Sequence, residues 1–338
     1  MFFVELISII ILPWGDILLS NNNLSIAVIF ATYNRAEVLR DTLESMCRVN
    51  RYGIDVMFYI VNNNSRDHTE TVLKSYADKL PLHYIFESRQ GKNVSVNCAL
   101  KELNNEDIVI FTDDDITPCT NWFHEIVAVC SRWPDHDVFG GKILIAWPDV
   151  NIPTWAHSPK IMGFAFSKND QGNSEKIMDQ HRYPHGNNYW LRNKILSKGR
   201  TFDESLGPRP KNMKMGGGIS YLRLLKLEGY EFVYSPDAVV KHRIDKKLLN
   251  SYVIYKRAYS FGRGLVYMNG FPDEKLLLSN SFIWYLKRLK SCIRAFVSLC
   301  MAFPKRSSVM RFEKIVSAIT LYGTSVESLK SARKSIKK

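Results

Sequence analysis

The sequence predicts an α/β protein whose sheet is formed mainly by parallel strands. Short runs rich in β-branched and aromatic residues alternate with segments in which apolar residues recur every three or four positions, as expected of βαβ units. The chain has 338 residues, of which 46% are hydrophobic and 23% are charged, so it can bury a substantial core. The clearest strand segments lie at 25–34, 55–67, 82–86 and 107–111.

The first predicted unit begins with "SIAVIFATYN" at 25–34, an apolar run that ends in turn-forming residues. Apolar positions then recur at helical spacing from Val38 to Cys47. The same order of strand and helix follows in the second segment, and the third strand leads to a helix around Val96 and Leu100. The fourth strand stops abruptly at "TDDD".

Polar residues follow three of these strands at the point where each strand ends. In open sheets of parallel strands, ligands bind beyond the carboxyl ends of the strands. We therefore expect a ligand site at this edge of the sheet. The residues concerned are Thr32, Tyr33 and Asn34; Asn62, Asn63 and Asn64; and Asp113, Asp114 and Asp115.

The remainder of the chain has a less regular pattern. Between 119 and 245 the clearest strands are "FGGKILIAWP" and "EFVYSPDAVV", and from 251 onward the pattern is helical. The first 23 residues are apolar, but they contain Glu5, Pro13 and Asp16 and no lysine or arginine. This composition fits neither a signal peptide nor an uninterrupted membrane span, and we interpret the segment as an apolar leader.

Most of the positive charge lies near the C-terminus. The chain has a net charge of +13, of which residues 281–338 carry +11. Apolar residues recur every three or four positions from Phe282 to Phe303, and basic residues occupy the other faces. This pattern predicts a basic helix that either lies on an anionic membrane or packs on the protein's own domain with a solvated basic face. Nucleic acid is not favoured as a partner, because the sequence has no RNP, helix-turn-helix or zinc-finger framework.

The segment "FTDDDITP" at 111–118 places three carboxylates directly after a buried strand. Crowded carboxylates repel one another unless a cation holds them, and oxygen ligands suit Mg²⁺ or Mn²⁺. A solvated acidic turn is the other interpretation. The position at the end of a strand in an α/β sheet favours the metal.

At these motifs the chain resembles the family-2 glycosyltransferases, which are inverting enzymes of the GT-A fold. The resemblance covers roughly residues 24–265 and follows the family's order and spacing. It rests on "VIFATYNR", "VNNNSRD", "ESRQGKNVSVNCAL", "FTDDDITP", "FGGKILIAWP", "PHGNNYWLR", "FDESLG", "GYEFVYSPDAVVKHR" and "YKRAYSFGRG".

The resemblance implies that a nucleotide-sugar donor, UDP- or GDP-linked, binds through a divalent cation, Mg²⁺ or Mn²⁺. It implies Asp113 and Asp115 as the metal-binding pair of the DXD motif, Asp114 as a direct ligand of the donor, and His242 as a further ligand of the metal or phosphate. The remaining implied donor-site residues are Thr32, Tyr33, Arg35, Asn62, Gly91 and Lys92. The acceptor side would begin at Asn187 and Asn188.

Two positions depart from the family's pattern. The aspartate that accepts a hydrogen bond from the nucleobase is Asn62 here, so the charge is lost while the acceptor oxygen remains. The family's Glu-Asp pair falls on Gly217 and Gly218, and a glycine cannot act as the general base. The run "GGG" at 216–218 then reflects either loss of the acid pair, a flexible loop, or a backbone nest that binds anions. Asp203 and Glu204 are the nearest other candidates for the base.

We therefore expect a metal-assisted, inverting glycosyltransferase whose acceptor is a glycan or lipid-linked glycan. The alternative is a catalytically impaired relative that acts as a partner subunit. The expected divisions are a leader at 1–23, a GT-A domain at 24–250 with a nucleotide-sugar half (24–118) and an acceptor half (119–250), and a basic helical region at 251–338. The basic region predicts a cytoplasmic protein bound peripherally to the cytosolic face of a membrane.

Overall fold

The computed structural model describes residues 24–210, 213–268 and 307–336, together with the single positions 290, 293 and 297. Side chains of the last helix are described as far as residue 330. The predicted leader at 1–23 lies outside the described residues, as does almost all of the predicted basic helix at 282–303. Within the described part of the chain, none of the helices has the length and apolar character required to span a membrane.

The first half of the structure is a parallel sheet with the strand order β3-β2-β1-β4, which confirms the fold class predicted from the sequence. All four predicted strands are present, and helices connect them. The strands are β1 (Ser25–Thr32), β2 (Asp55–Asn62), β3 (Leu82–Phe86) and β4 (Ile108–Thr112), and the helices are α1 (Ala36–Cys47), α2 (Thr69–Lys74) and α3 (Lys92–Leu100).

The second half extends the same sheet with mixed strand directions, in the order β4-β8-β6-β9-β5. Strand β8 is antiparallel to both β4 and β6, and β6 is parallel to β9. The strands are β5 (Ile116–Pro118), β6 (Val138–Ala146), β7 (Lys176–Ile177), β8 (Asn188–Arg192) and β9 (Phe232–Arg243). The helices are α4 (Trp122–Arg132), α5 (Pro159–Phe166), α6 (Gly217–Leu227), α7 (Ser251–Met268) and α8 (Ser308–Ile336).

Both faces of the central sheet are buried, so its strands are almost continuously apolar. Successive residues of β2 illustrate this, since Phe58 and Ile60 belong to the cluster beneath α1, α2 and α4 whereas Tyr59 and Val61 belong to the cluster beneath α3 and α6. All four side chains are fully buried. The alternation fixes the register of the parallel strands, because a slip by one residue would exchange the two clusters.

A third apolar cluster joins α5, α7 and α8. The rings of Trp155 and Phe312 stack with their centroids 4.3 Å apart. Between α7 and α8, the Glu327 carboxylate accepts hydrogen bonds from Arg263 Nε at 2.7 Å and from the Tyr267 hydroxyl at 2.8 Å. Met215, in the segment before α6, donates its N–H to the Ser260 carbonyl of α7. Residues beyond 250 therefore shape the segment that leads into α6, and the predicted boundary at 250 stays a prediction.

Candidate active site

The candidate active site lies at the carboxyl ends of β1, β2 and β4, as the polar residues there predict. Thr112, the last residue of β4, pairs with Asn188, the first residue of β8. Because β8 runs antiparallel to β4, the segment 181–187 enters beside the three aspartates that follow β4. The two halves of the fold thus meet at Asp113–Asp115.

Arg35, directly before α1, bridges two of these aspartates. Its Nη1 atom lies 2.5 Å from Asp114 Oδ1, and its Nη2 atom lies 2.9 Å from Asp115 Oδ2. Asp114 is almost completely buried, and burial raises the pKa of its carboxyl to about 6 although Arg35 opposes the shift. Asp113 is more exposed and forms an ion pair with Lys92 at the start of α3. The predicted donor-site residues Arg35, Lys92, Asp113 and Asp114 therefore form one charged group.

His242 is positioned by its place in β9, where it pairs with Ile116 immediately after the aspartates. Its Nδ1 atom lies 2.7 Å from the Phe166 carbonyl oxygen, which leaves Nε2 facing Asp115 Oδ1 at 3.4 Å. Burial acts against a charged imidazole, but Asp115 and the Phe166 carbonyl together raise the pKa of His242. The charges of His242 and Arg35 outweigh the effect of burial on Asp115, whose pKa lies well below its usual range.

The described residues contain no assembled group of three acidic, histidine or cysteine side chains that could hold a metal. Asp115 and His242 are in contact, but Asp113 is directed to Lys92. Asp115 Oδ1 is buried without a well-formed hydrogen bond to any described residue, and a carboxylate oxygen beside an imidazole nitrogen is a donor set that Mn²⁺ accepts. These two residues fit a divalent cation, and the full triad of Asp113, Asp115 and His242 stays a prediction.

The residues expected around the nucleotide lie at the ends of β1 and β2. Thr32 is buried and Tyr33 is half-buried. Asn62 is also buried, and its Oδ1 atom accepts the Ser65 N–H at 3.0 Å, so the oxygen expected to face a nucleobase already closes a local turn. Its Nδ2 atom lies 3.4 Å from the Tyr84 hydroxyl.

Asn63 organises the neighbouring loop, a role that the sequence analysis missed. Its Nδ2 atom donates to the carbonyls of Glu87 and Arg89 at 3.1 and 2.8 Å, and its Oδ1 atom accepts the Gly91 N–H at 2.7 Å. Gly91 has a φ of +148°, which side chains rarely adopt. Asn63 therefore holds the backbone before Lys92 in the conformation that turns Lys92 toward Asp113. The second asparagine of "VNNNSRD" was the available signal.

The three glycines before and within α6 differ in what surrounds them. Gly216 has a φ of +107°, and a Cβ atom there would lie 2.6 Å from Met268 Sδ. A Cβ atom on Gly217 would lie 2.3 Å from Asn93 Nδ2, whereas Gly218 has no neighbouring atom within 4 Å. Close packing thus accounts for two of the glycines. At Gly218, the family's base position, the space for a side chain is open.

The two other candidates for the base occupy different environments. Asp203 is exposed, and its backbone carbonyl accepts a hydrogen bond from Asn93, the residue that also packs against Gly217. Glu204 is engaged by Arg89 at 3.1 Å and by Asn97 at 3.3 Å. Asn93 thus connects Asp203 to Gly217, the residue directly before the base position.

The two asparagines expected at the acceptor side differ in how their side chains are hydrogen-bonded. Asn188 is fully buried and has a structural role, because it accepts from Trp122 Nε1 at 3.1 Å and donates to the Ala238 carbonyl at 2.8 Å. Asn187 is 2% exposed, and neither of its side-chain polar atoms has a hydrogen-bond partner among the described residues. Of these two asparagines, Asn187 is therefore the one whose side-chain polar atoms are available for a ligand.

A cavity of about 690 Å³ opens on the acceptor side of this site. It is bounded by α5, by the segments 167–171 and 181–186, and by the beginning of α6. Arg257 of α7 also lines it and was not singled out from the sequence.

Comparison with solved structures supports the GT-A fold. A mannosyltransferase from Pyrobaculum calidifontis, in complex with GDP-Man and Mn²⁺, aligns with a TM-score of 0.57 and 16% identity over 91% of this chain and 87% of that chain. TarS from S. aureus, in complex with UDP-GlcNAc, aligns with a TM-score of 0.51 and 14% identity over 92% of each chain. At these identities the likeness establishes the fold alone.

Sequence comparison gives relationships of higher identity over shorter parts of the chain. A glycosyltransferase of Rickettsia typhi is 25% identical over 189 residues, which are 54% of this chain and 54% of that protein. Chondroitin synthase of Pasteurella multocida is 28% identical over 149 residues, which are 42% of this chain and 15% of the synthase. The matched regions therefore span about half, or less, of these relatives.

The family itself is established by a sequence profile. The profile described as Glycosyl transferase family 2 matches residues 27–199, which are slightly more than half of the chain. This region contains the three aspartates, Arg35, Lys92 and the strands that position them. The chain belongs to glycosyl transferase family 2.

Proposed function

We propose that the protein transfers a sugar from a nucleotide-sugar donor to a hydroxyl group of an acceptor, with inversion of configuration. The observation that carries this proposal is the grouping of the three aspartates with Arg35, Lys92 and His242 at the carboxyl edge of the parallel strands. Acidic and basic side chains together at such an edge suit a nucleoside diphosphate that binds with a divalent cation. Family membership and the donors bound by the two structural neighbours support the same reaction class.

The donor is a UDP- or GDP-linked sugar in this proposal. Thr32 and Tyr33 would line the nucleotide at the end of β1, and Asn62 would lie at the end of β2. Lys92 and Arg35 carry positive charge toward the space where the diphosphate would lie, and both already neutralise aspartates there. Their charge would offset that of the diphosphate when the donor binds.

Asp115 and His242 would hold Mg²⁺ or Mn²⁺, with Asp113 as a third ligand after Lys92 has released it. The bound cation would supply charge stabilisation for the departing nucleoside diphosphate. Arg35 would keep Asp115 oriented, because it contacts the carboxylate oxygen opposite to the one that faces His242. The assignment of Asp115 and His242 as metal ligands rests on their donor atoms, which are a carboxylate oxygen and an imidazole nitrogen.

The acceptor hydroxyl must lose a proton during an inverting displacement, and a positioned base contributes a factor of about 10²–10⁴ to the rate. Gly218 cannot supply that base. Asp203 is the candidate that we favour, because its backbone is linked through Asn93 to the residue beside Gly218. Turnover without any such carboxylate would be slow.

The proposed acceptor is a glycan or a lipid-linked glycan, and the proposed location is the cytosolic face of a membrane. The basic segment from residue 281 would bind anionic lipid, with each Lys or Arg near the surface contributing about 1 kcal/mol. Deleting the chain from 281 would also remove α8, which packs on α7. Vesicle co-sedimentation should therefore compare the intact protein with a full-length variant in which Lys287, Arg288, Lys290 and Arg294 are all Gln. Equal sedimentation of the two proteins would refute the membrane role.

Incubation with a panel of UDP- and GDP-sugars, with Mg²⁺ or Mn²⁺, tests the proposed activity. We expect nucleoside diphosphate to be released from one donor, and we expect this release to stop when EDTA is added. Donor binding without any release or transfer, both in the wild type and after a carboxylate is introduced at residue 218, would instead support a non-catalytic partner subunit. A protein that binds none of the donors would contradict both functions.

A further inference from the structure

The cavity on the acceptor side adjoins the site of the aspartates and His242 through the end of α5. The Phe166 carbonyl contacts His242, and the Ser167 carbonyl, one residue later in the wall of the cavity, contacts His185 Nδ1 at 3.0 Å. Gly216 lines the cavity from the other side, two residues before the family's base position. The wall of the cavity therefore includes Ser167, which follows the residue that contacts His242, and Gly216, which precedes residue 218 by two positions.

The guanidinium group of Arg257 forms no direct ion pair with a described residue, although Asp113 and Asp115 are near enough to act on its charge. Its Nε atom is buried and has no hydrogen-bond partner among the residues that the structure describes. No ion pair in the same part of the chain includes it, although it lines the cavity. Burial lowers the pKa of Arg257 while Asp115 and Asp113 act to raise it, and an arginine keeps its proton in either case. A buried cation is costly unless an anion and hydrogen bonds accompany it.

The rest of the lining also favours an anionic, sugar-like ligand. Lys168 and Arg182 add positive charge, although Arg182 lies 3.5 Å from Asp179, and Asp170 is the one acidic residue among the lining residues. Asp170 lies 3.9 Å from Lys142, so part of its charge is already balanced. Aromatic rings form part of the apolar wall, as in many small-ligand sites. They belong to Phe164, Tyr183 and Phe261.

We propose that this cavity binds the acceptor and that Arg257 forms an ion pair with an anionic group of that acceptor, either a carboxylate or a phosphate. This inference rests on the proposed glycosyltransferase function and deepens it by naming the acceptor's chemistry. The donor diphosphate is the competing anion. Arg35 and Lys92 already supply cations on the nucleotide side, whereas Arg257 belongs to the wall that includes Gly216 and Ile219.

Three ligands that share one ring and differ at carbon 6 provide the test: glucuronate, glucose 6-phosphate and glucose. Their binding is measured by saturation-transfer NMR with the full-length protein, UDP or GDP, and Mg²⁺. We expect at least one of the two anions to bind about tenfold more tightly than glucose, because hydrogen bonds to a charged group contribute about 1.5 kcal/mol or more. Preference for glucuronate assigns a carboxylate, and preference for glucose 6-phosphate assigns a phosphate.

Arg257→Gln should abolish this preference and leave the affinity for UDP or GDP unchanged within about twofold. Arg257→Lys should retain part of it. Arg200→Gln is the matched control, because Arg200 pairs with Glu228 and does not line the cavity. Thermal unfolding checks that each variant is folded.

Equal affinity of the wild type for all three ligands, or no binding of any, would overturn the inference. So would an Arg257→Gln variant that loses affinity for UDP or GDP and keeps its preference for the acid, because Arg257 would then serve the donor diphosphate. Failure of the proposed function is a separate result, since it appears as absence of UDP and GDP binding in the wild type.

Discussion

Gly264 of α7 lies where the helix meets the segment before α6, and replacing it by alanine tests that close contact. A Cβ atom on Gly264 would lie 1.7 Å from the Met215 carbonyl oxygen. Ordinary contact distances exceed 3 Å, so the two backbones must separate by roughly 1.5 Å. The obstacle is a carbonyl group, which cannot rotate away as the end of a flexible side chain would.

Two effects of opposite sign decide the stability of Gly264→Ala. Alanine in a helix interior gains about 1 kcal/mol over glycine through helix propensity. Overpacking costs roughly 1–3 kcal/mol and occasionally more, and a rigid obstacle places this site at the upper end. We therefore expect the free energy of unfolding to fall by about 2 kcal/mol.

Equilibrium urea unfolding followed by circular dichroism measures this change. Gly163→Ala in α5 is the matched control, because its Cβ atom would lie 3.9 Å from the nearest atom, the Lys168 carbonyl oxygen. That substitution should be neutral or stabilise the protein by up to about 1 kcal/mol. If Gly264→Ala proves as stable as Gly163→Ala, the packing of α7 against Met215 is not as described.

Three other predictions concern the site and its support. Gly218→Asp adds a carboxylate where the space is open, and we expect donor hydrolysis or transfer to rise by up to about 10²–10⁴-fold, whereas a slower reaction would place the base elsewhere. Lys92→Met releases Asp113 from an ion pair worth up to about 1 kcal/mol, so we expect Mn²⁺ to bind about fivefold more tightly in a titration without nucleotide. Unchanged affinity for Mn²⁺ would show that Lys92 and the metal do not compete for Asp113. Glu327→Gln removes the buried negative charge that pairs with Arg263, and it should lower the free energy of unfolding by about 3 kcal/mol. Urea unfolding measures the change, and a loss below about 1 kcal/mol would mean that the pair is solvated.

The parallel half of the fold was predictable because its signals are local. Strands buried on both faces read as continuous apolar runs, and the polar residues at their ends are visible without any knowledge of pairing. Asp113, Asp114 and Asp115 illustrate this, since their position after β4 sufficed to place them at the ligand edge. The partners Arg35 and Lys92 came from the resemblance, and the structure brings both to the aspartates.

The other half depends on contacts between distant parts of the chain. Asn188 looks like a site residue in the sequence, but Trp122 and Ala238 occupy its polar atoms, and those residues are 66 and 50 positions away. In the sequence, Arg257 is one of several basic residues in a helical region. The structure shows that it lines the same cavity as the segments 167–171 and 181–186. The run of glycines at 216–218 was equally ambiguous, because only the packing of Met268 and Asn93 separates the first two from Gly218.

The central claim is that the aspartates after β4 form a metal-dependent site for a nucleoside diphosphate. Isothermal titration calorimetry with UDP and GDP, in Mn²⁺ or in EDTA, tests it most directly when the wild type is compared with Asp115→Ala. The account predicts that one of the two nucleotides binds the wild type in Mn²⁺. Either EDTA or Asp115→Ala should weaken this binding by tenfold or more, because a charged ligand contributes at least about 1.4 kcal/mol. Equal affinity in Mn²⁺ and EDTA, or an Asp115→Ala variant that binds as tightly as the wild type, would contradict it.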